Sequence, residues 1–241
     1  MSVAISERTV EVPWLMDTIR SIDPKELLDV GYAGGWYLKN ILDMGISCYG
    51  LDSDVERMSG RTFKVDKKKK DEWIKIAERM ITCIADITKY PEAGQDNLAF
   101  PVVMCISTIE HIVPCGYQND SEVDMESDII AATNMKKLVA DDGSLMLTFP
   151  CGVEHFFYNK NRKTPLNHPK FTAGNYDLMV YGRERIDMLV GDWKVVDKQF
   201  WTRQSGVGSS FEKCDEDIAL RKVPIVNIPV QSVCAIRMVA P

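Results

Sequence analysis

The stretch ELLDVGYAGG, residues 26–35, decides the fold of this chain. Residues 26–30 form a short apolar run, and a cluster of small residues follows at once, from Gly31 to Gly35. Small residues between a strand and a helix let the backbone approach a ligand closely, and the start of a helix offers unpaired N–H groups. The stretch therefore predicts a strand, a ligand-binding turn and a helix over residues 36–44.

Strand-like and helix-like segments alternate along the chain around this turn. Such alternation predicts a parallel α/β sheet, and two closing strands separated by a polar segment predict an antiparallel edge. The expected helices cover residues 13–22, 66–80, 121–139 and 183–190. The expected strands cover residues 46–51, 81–85, 101–106, 144–149, 193–201 and 230–239.

Composition limits the classes of function. The 241 residues include 35 acidic and 29 basic side chains, for a net charge of −6, which argues against sequence-blind nucleic-acid binding. Seven cysteines, an odd number with no C-x-x-C pair, argue against a disulfide framework or a structural zinc site. The first 20 residues lack the apolar core of a signal peptide, and no apolar run is long enough to span a membrane. We expect a single domain, residues 1–241, in the cytoplasm.

Acidic and polar residues follow the predicted strands, at the edge where open α/β sheets bind ligands. Asp52 closes the second strand about 20 residues after the glycine turn, where a carboxylate can accept both hydroxyls of a ribose. Asp86 and Ser107 close the next two strands. A dinucleotide fingerprint, G-x-G-x-x-G, has Trp36 in place of its third glycine, so the turn fits that class of cofactor poorly.

At this point the sequence resembles the class I S-adenosylmethionine-dependent methyltransferases. Their first motif, approximately L-D-x-G-x-G-x-G, is matched by Leu28, Asp29, Gly31 and Gly35, with Ala33 at the middle glycine. The segments CIADI (83–87), STIEH (107–111) and KLVADDGSLMLTFP (137–150) are similar to later motifs of the same family, in the same order.

The resemblance implies a three-layer α/β/α Rossmann-like fold with a seven-stranded sheet, mostly parallel, with an antiparallel C-terminal strand. It also implies S-adenosyl-L-methionine as the cofactor. Asp29 would order the glycine turn and the methionine amino group, Asp52 would hold the ribose, and Asp86 would meet the adenine. The implied cofactor-binding residues are Asp29, Gly31, Tyr32, Ala33, Gly35, Asp52, Ser53, Asp86, Ile87 and Ser107.

His111 is the candidate catalytic base, because it follows the fourth strand beside the expected position of the methyl group. Glu110 is expected to orient the loop or to bond to the imidazole. Some related enzymes read E-x-x-E-H here and bind a divalent metal, but Ser107 replaces the first Glu of that pattern. Two ligands remain, Glu110 and His111, to which His155 or His168 could add a third, and two such ligands make a poor cage for a hard cation. A metal is therefore the less favoured alternative.

The expected function is methyl transfer to a hydroxyl of a small molecule. The sequence is also similar to uncharacterised glycan-associated methyltransferases, and this similarity narrows the expected acceptor to a sugar or glycan. Segments near residues 58–80, 151–180 and 202–229 are expected to form a lid or to recognise the acceptor, with Phe156, Phe157, Tyr158 and Trp201 stacking on it or covering the cofactor. The alternatives are a metal-dependent RNA 2′-O-methyltransferase, a non-catalytic cofactor-binding scaffold and an oxidoreductase. The sequence leaves the oligomeric state open.

Overall fold

The computed structural model describes residues 6–32, 35–53, 67–91, 98–115, 125–159, 171–174, 177–204, 210–225 and 230–241, with backbone alone at 67–70, 114–115, 159 and 171–174. The helices are α1 (Arg8–Ile22), α2 (Leu38–Asp43), α3 (Lys67–Ala77), α4 (Ile112–Cys115), α5 (Ser127–Lys137), α6 (Arg183–Val190) and α7 (Glu216–Leu220), with a 3-10 turn at Ile109–His111. The strands are β1 (Glu26–Val30), β2 (Ser47–Asp52), β3 (Ile81–Ile84), β4 (Phe100–Ile106), β5 (Val139–Cys151), β6 (His155–Asn159), β7 (Phe171–Gly174), β8 (Leu178–Val180), β9 (Lys194–Arg203), β10 (Phe211–Cys214) and β11 (Ser232–Val239).

The main sheet has the strand order β10-β9-β11-β5-β4-β1-β2-β3. Strands β1 to β5 pair in parallel, and β11 is antiparallel to both of its neighbours, β5 and β9. The mostly parallel sheet with an antiparallel C-terminal strand is thus confirmed. The strand number was wrong, because the four-residue strand β10, with the sequence FEKC, adds an eighth strand at the edge. A strand so short and so charged has no recognisable apolar alternation.

Alternate residues of β4 face opposite layers, which explains its continuous apolar sequence. Val103 and Cys105 pack with α5 and α6 on one face, whereas Val102 and Met104 pack with α1, α2 and α3 on the other. The predicted three-layer α/β/α arrangement is confirmed. No helix in the described part of the chain is both long enough and apolar enough to cross a membrane.

Two regions differ from the sequence prediction. Helix α1 begins at Arg8, five residues before the expected start, so Pro13 lies inside the helix and not at its first position. Residues 151–180, where the sequence predicts no helix or strand, contain a second sheet of order β7-β6-β8. Its hydrogen bonds join strands that are distant in sequence, and no local periodicity indicates them.

Candidate functional site

The candidate site lies at the carboxyl ends of β1, β2 and β4, where the strand order reverses direction. Successive strands β1, β2 and β3 extend to one side, and β4 and β5 extend to the other. A reversal of this kind is the usual ligand position in an open α/β sheet, and here the loops after β1 and β4 touch, since the Thr108 hydroxyl lies 3.3 Å from the Gly31 carbonyl. The structure brings Asp29, Gly31, Asp52 and Ser107 to this edge.

Asp29 is a fully buried carboxyl at the end of β1. Its side chain is 0% exposed, Oδ2 accepts a hydrogen bond of 2.9 Å from the Tyr37 hydroxyl, and Oδ1 is buried with no hydrogen-bond partner. Burial raises the pKa of Asp29 to about 8, against the opposing effects of the Tyr37 hydroxyl and the Arg8 guanidinium. A buried oxygen without a partner is costly, and it marks a position suited to a cationic donor.

Position 31 requires a glycine, because of its positive φ angle and because the Thr108 side chain lies close to it. Its φ is +77°, its N–H donates to the Leu51 carbonyl over 2.7 Å, and a Cβ would lie 2.1 Å from Thr108 Cγ2. The space beside this glycine is therefore filled by the loop after β4. Gly35 closes the turn by donating its N–H to the Tyr32 carbonyl over 2.9 Å.

The other predicted cofactor residues have different exposures. The Tyr32 ring is buried against Gly50 and the Trp73 ring, so only its backbone faces the turn. Ser53 is half-buried, and Asp52 is buried at the end of β2. Ala33 lies outside the described residues.

Asp86 and Ile87 follow β3 and begin the next turn. The Asp86 carboxylate accepts hydrogen bonds from the backbone N–H and the hydroxyl of Thr88, at 3.0 and 2.7 Å. Asp86 therefore stabilises its own loop in this structure, while its side chain stays 40% exposed. Ile87 is buried in the core next to α5, and its carbonyl accepts a hydrogen bond from Asn134.

Helix α1 contributes two residues that the sequence analysis did not identify. Glu11 is fully buried and accepts a hydrogen bond of 2.6 Å from the Ser107 hydroxyl. Arg8 lies 3.5 Å from Glu11 and donates to the carbonyl of Ile106 over 3.4 Å. Burial raises the pKa of Glu11, although Arg8 and Ser107 oppose that shift. The sequence signal for this residue was Glu11 itself, an acid that lies between Val10 and Val12 in the apolar segment before Pro13.

The proposed catalytic pair lies in the 3-10 turn after β4. His111 Nδ1 is 2.5 Å from the Asp177 carbonyl oxygen. Because a carbonyl only accepts, Nδ1 carries the proton in this contact, and the lone pair of a neutral imidazole lies on Nε2. Nε2 is 3.9 Å from Glu110 Oε1. This geometry gives His111 the tautomer that a base acting through Nε2 requires.

Glu110 precedes His111 in the same 3-10 turn. It is 2% exposed, and its Oε2 is buried with no hydrogen-bond partner. Burial raises the pKa of Glu110 well above its usual value, and the nearby Glu11 carboxylate acts in the same direction. Two buried oxygens without partners, on Glu110 and Asp29, therefore belong to the described part of this site.

The remaining candidate side chains are mostly buried. Phe156 and Phe157 are core residues, and Trp201 is buried against the α1 side of the sheet, so stacking of these three on an acceptor was wrong. His155 packs on the Phe157 ring, and burial lowers its pKa. His168 lies outside the described residues. Among the residues that are described, no three His, Cys, Asp or Glu side chains are grouped to hold a metal ion.

Comparison with known proteins rests on the fold. No protein-family model and no curated protein matches the sequence. A solved S-adenosylmethionine-dependent methyltransferase from Clostridium acetobutylicum is similar over 98% of this chain and 93% of its own, with a TM-score of 0.57 and 9% identity. The N-methyltransferase NodS from Bradyrhizobium japonicum, solved with S-adenosyl-L-homocysteine, is similar over 98% of this chain and 87% of its own, with a TM-score of 0.55 and 14% identity.

A third solved structure, TehB from Haemophilus influenzae, is similar over 95% of this chain, with a TM-score of 0.53 and 11% identity. The chain spans 62% of the length of TehB. These likenesses establish the fold, and they confirm that this chain folds as S-adenosylmethionine-dependent methyltransferases do.

Proposed function

We propose that this protein transfers a methyl group from S-adenosyl-L-methionine to a hydroxyl of a small molecule, with a sugar or glycan as the narrower acceptor class. The observation that carries the proposal is the partnerless buried oxygen of Asp29, at the carboxyl end of β1 in a fold that methyltransferases share. An amine is the second candidate acceptor, since NodS, one of the similar structures, is an N-methyltransferase.

The residues present fit the cofactor. Asp29 Oδ1 can accept a hydrogen bond from the methionine ammonium, and that contact would satisfy a carboxylate whose burial has raised its pKa to about 8. Asp52, at the end of β2, can accept from the ribose hydroxyls. When bound, the cofactor supplies an activated sulfonium methyl group. The backbone of residues 31, 32 and 35, with the side chains of Ser53, Asp86 and Ser107, completes the proposed cofactor site.

His111 is proposed to take the acceptor proton. Its Nδ1–H is held by the Asp177 carbonyl over 2.5 Å, which fixes the ring and leaves the lone pair of the neutral ring on Nε2. A base held in this way contributes typically 10²–10⁴-fold to a rate. Glu110, beneath the ring, is proposed to orient the turn.

The acceptor is proposed to be recognised by the segments near residues 151–180 and 202–229. The first of these segments reaches the site directly, since Asp177 contacts His111 and the Tyr181 hydroxyl, just beyond it, donates to the Ile109 carbonyl over 3.2 Å. The third proposed segment, 58–80, is described from residue 67, and its Trp73 belongs to the core. The six described cysteines are unpaired, which supports a reducing compartment such as the cytoplasm.

Calorimetry with S-adenosylmethionine tests the proposal. The wild-type protein should bind it, and Asp52→Ala should weaken binding about 10–100-fold, because hydrogen bonds to a charged group are lost. Asp43→Ala removes an exposed acid from α2 and serves as the matched control, with unchanged affinity. Absence of wild-type binding would refute the function, and unchanged binding by Asp52→Ala would refute the role of Asp52.

A turnover assay separates the alternatives. Conversion of S-adenosylmethionine to S-adenosylhomocysteine with a hydroxylated acceptor supports an enzyme, whereas binding without conversion across an acceptor panel supports a scaffold. A metal-dependent RNA enzyme would instead lose its activity with a chelator and would bind RNA ends. A preference for a nicotinamide dinucleotide would indicate an oxidoreductase.

A further inference from the structure

Arg8, on helix α1, is a cation with unused hydrogen-bond donors at the carboxyl end of the sheet. Both of its side-chain hydrogen bonds use Nη1, which donates to Glu11 Oε2 over 3.5 Å and to the Ile106 carbonyl over 3.4 Å. Within the described residues, no group accepts a hydrogen bond from Nη2 or Nε. The side chain is 40% exposed, so a ligand can reach it. A guanidinium has several N–H donors in a planar fork, and most of those of Arg8 are left for a ligand.

The contacts of Arg8 hold its guanidinium close to Asp29. Ile106 lies two residues beyond Met104, which pairs with Asp29 in the sheet. Arg8 Cζ is 6.0 Å from the centroid of the Tyr37 ring, and the Tyr37 hydroxyl donates to Asp29 Oδ2 over 2.9 Å. The guanidinium of Arg8 and the partnerless Oδ1 of Asp29 therefore belong to the same part of the site.

The amino-acid end of S-adenosylmethionine carries an ammonium and a carboxylate on the same carbon. Asp29 Oδ1 is the proposed partner of the ammonium, so the carboxylate must lie close to Asp29 as well. An anion at this edge lies among the buried carboxyls of Glu11, Asp29 and Glu110, and it needs a cation beside it. Burial raises the pKa of each of these carboxyls, and Arg8 is the cation that opposes the rise at all of them.

Glu11 holds the Arg8 guanidinium in place. Its Oε2 accepts from Arg8 Nη1, and its Oε1 accepts from the Ser107 hydroxyl over 2.6 Å. Glu11 is itself fully buried, so the guanidinium is fixed to the end of β4 through Glu11 and the Ile106 carbonyl. Because Nη1 is used in this way, the edge formed by Nη2 and Nε is left for a further acceptor. Two parallel N–H donors of this kind match the two oxygens of a carboxylate.

We propose that Arg8 binds the α-carboxylate of S-adenosyl-L-methionine through Nη2 and Nε, and that helix α1 is therefore part of the cofactor site. The inference rests on the proposed methyl transfer and adds a binding residue to it. Asp29 and Arg8 then hold the two charges of one zwitterion, the ammonium on Asp29 and the carboxylate on Arg8.

Calorimetry with S-adenosylmethionine and decarboxylated S-adenosylmethionine, at constant ionic strength, tests this contact. The second ligand keeps the adenosine, the sulfonium and the amine and lacks only the carboxylate. Wild type should bind S-adenosylmethionine about 10–100-fold more tightly, because charge-assisted hydrogen bonds are lost with the carboxylate. In Arg8→Gln this ratio should fall to about one or below, since both halves of the contact are then absent. Arg20→Gln removes an exposed cation from the same helix and should keep the wild-type ratio.

The outcomes separate this contact from the proposed function. Equal binding of the two ligands by wild type would refute the role of Arg8, and so would a wild-type ratio in Arg8→Gln. If circular dichroism shows that Arg8→Gln does not fold, Arg8→Lys replaces it, because it keeps a positive charge beside Glu11 without the planar fork. Its ratio should be at least about threefold below that of wild type, and an unchanged ratio would refute the contact. Failure of wild type to bind either ligand would refute the proposed function itself.

Discussion

Replacement of Asp29 by Asn should stabilise the protein as the pH rises. The folded-state pKa of Asp29 is about 8 because of burial, above its value of 3.8 in an exposed chain. The folded protein therefore holds a proton at Asp29 that the unfolded chain has released between about pH 4 and pH 8. Wild-type stability falls as the pH rises through this window, and Asp29→Asn, which is neutral throughout, escapes that loss.

The size of the effect follows from the width of the window. Each pH unit inside it is worth about 1.4 kcal/mol, so between pH 5 and pH 7.5 the gain of Asp29→Asn over wild type should grow by about 3 kcal/mol. For a domain of this length, that corresponds to a relative rise of roughly 6–12 °C in Tm. Comparison at two pH values cancels the cost of fitting the amide beside the Tyr37 hydroxyl.

The assay is thermal unfolding of wild type and Asp29→Asn at pH 5 and pH 7.5. Asp17→Asn, at a side chain that is 78% exposed on α1, is the matched control and should stay within about 0.5 kcal/mol of wild type at both pH values. The same Asp29→Asn protein should bind S-adenosylmethionine more weakly, since its ammonium loses a charged partner. A Tm difference between Asp29→Asn and wild type that is equal at the two pH values would refute the reasoning.

Three further outcomes are expected. Gly31→Ala should lower the free energy of unfolding in urea by about 2–4 kcal/mol, because a Cβ would lie 2.1 Å from Thr108 Cγ2 and φ is +77°. The double variant with Thr108→Ala should recover part of this loss, and no recovery would contradict the clash. Asp128→Asn removes the negative charge that pairs with the buried Arg185 guanidinium at 2.5 Å, and should cost about 3–5 kcal/mol in the same assay; a neutral change would contradict the pairing. His111→Ala should keep its affinity for S-adenosylmethionine while kcat falls about 10²–10⁴-fold; full turnover would remove His111 as the base.

Much of the central sheet could be predicted because its signals are local. Strand β1 and helix α6 have the predicted bounds, and the predicted segments for β3 and β4 are within one residue of those observed. These strands are continuous apolar runs bounded by turns, and the helix has a regular apolar spacing. Exposure is not a local property, since Cys83 lies in an apolar run but is exposed on β3, at the edge of the sheet.

The parts that were missed depend on contacts between distant residues. The Glu11–Ser107 hydrogen bond joins positions 96 residues apart, so the local sequence of α1 marks Glu11 as an acid in an apolar segment but does not indicate its partner. The small sheet containing β6 and β8 was also missed, because its short strands are defined by each other and not by a repeat of their own.

The sequence by itself determined the α/β class, the glycine turn and the acids at the strand ends, because side-chain periodicity and turn chemistry act over a few neighbouring residues. Tertiary structure decided which of those acids are buried without partners. It placed Glu110 beside His111 Nε2 and fixed the tautomer of His111 through Asp177. Burial and hydrogen bonding between remote segments set protonation and donor requirements, so the chemical preference of the site emerges only when the chain has folded.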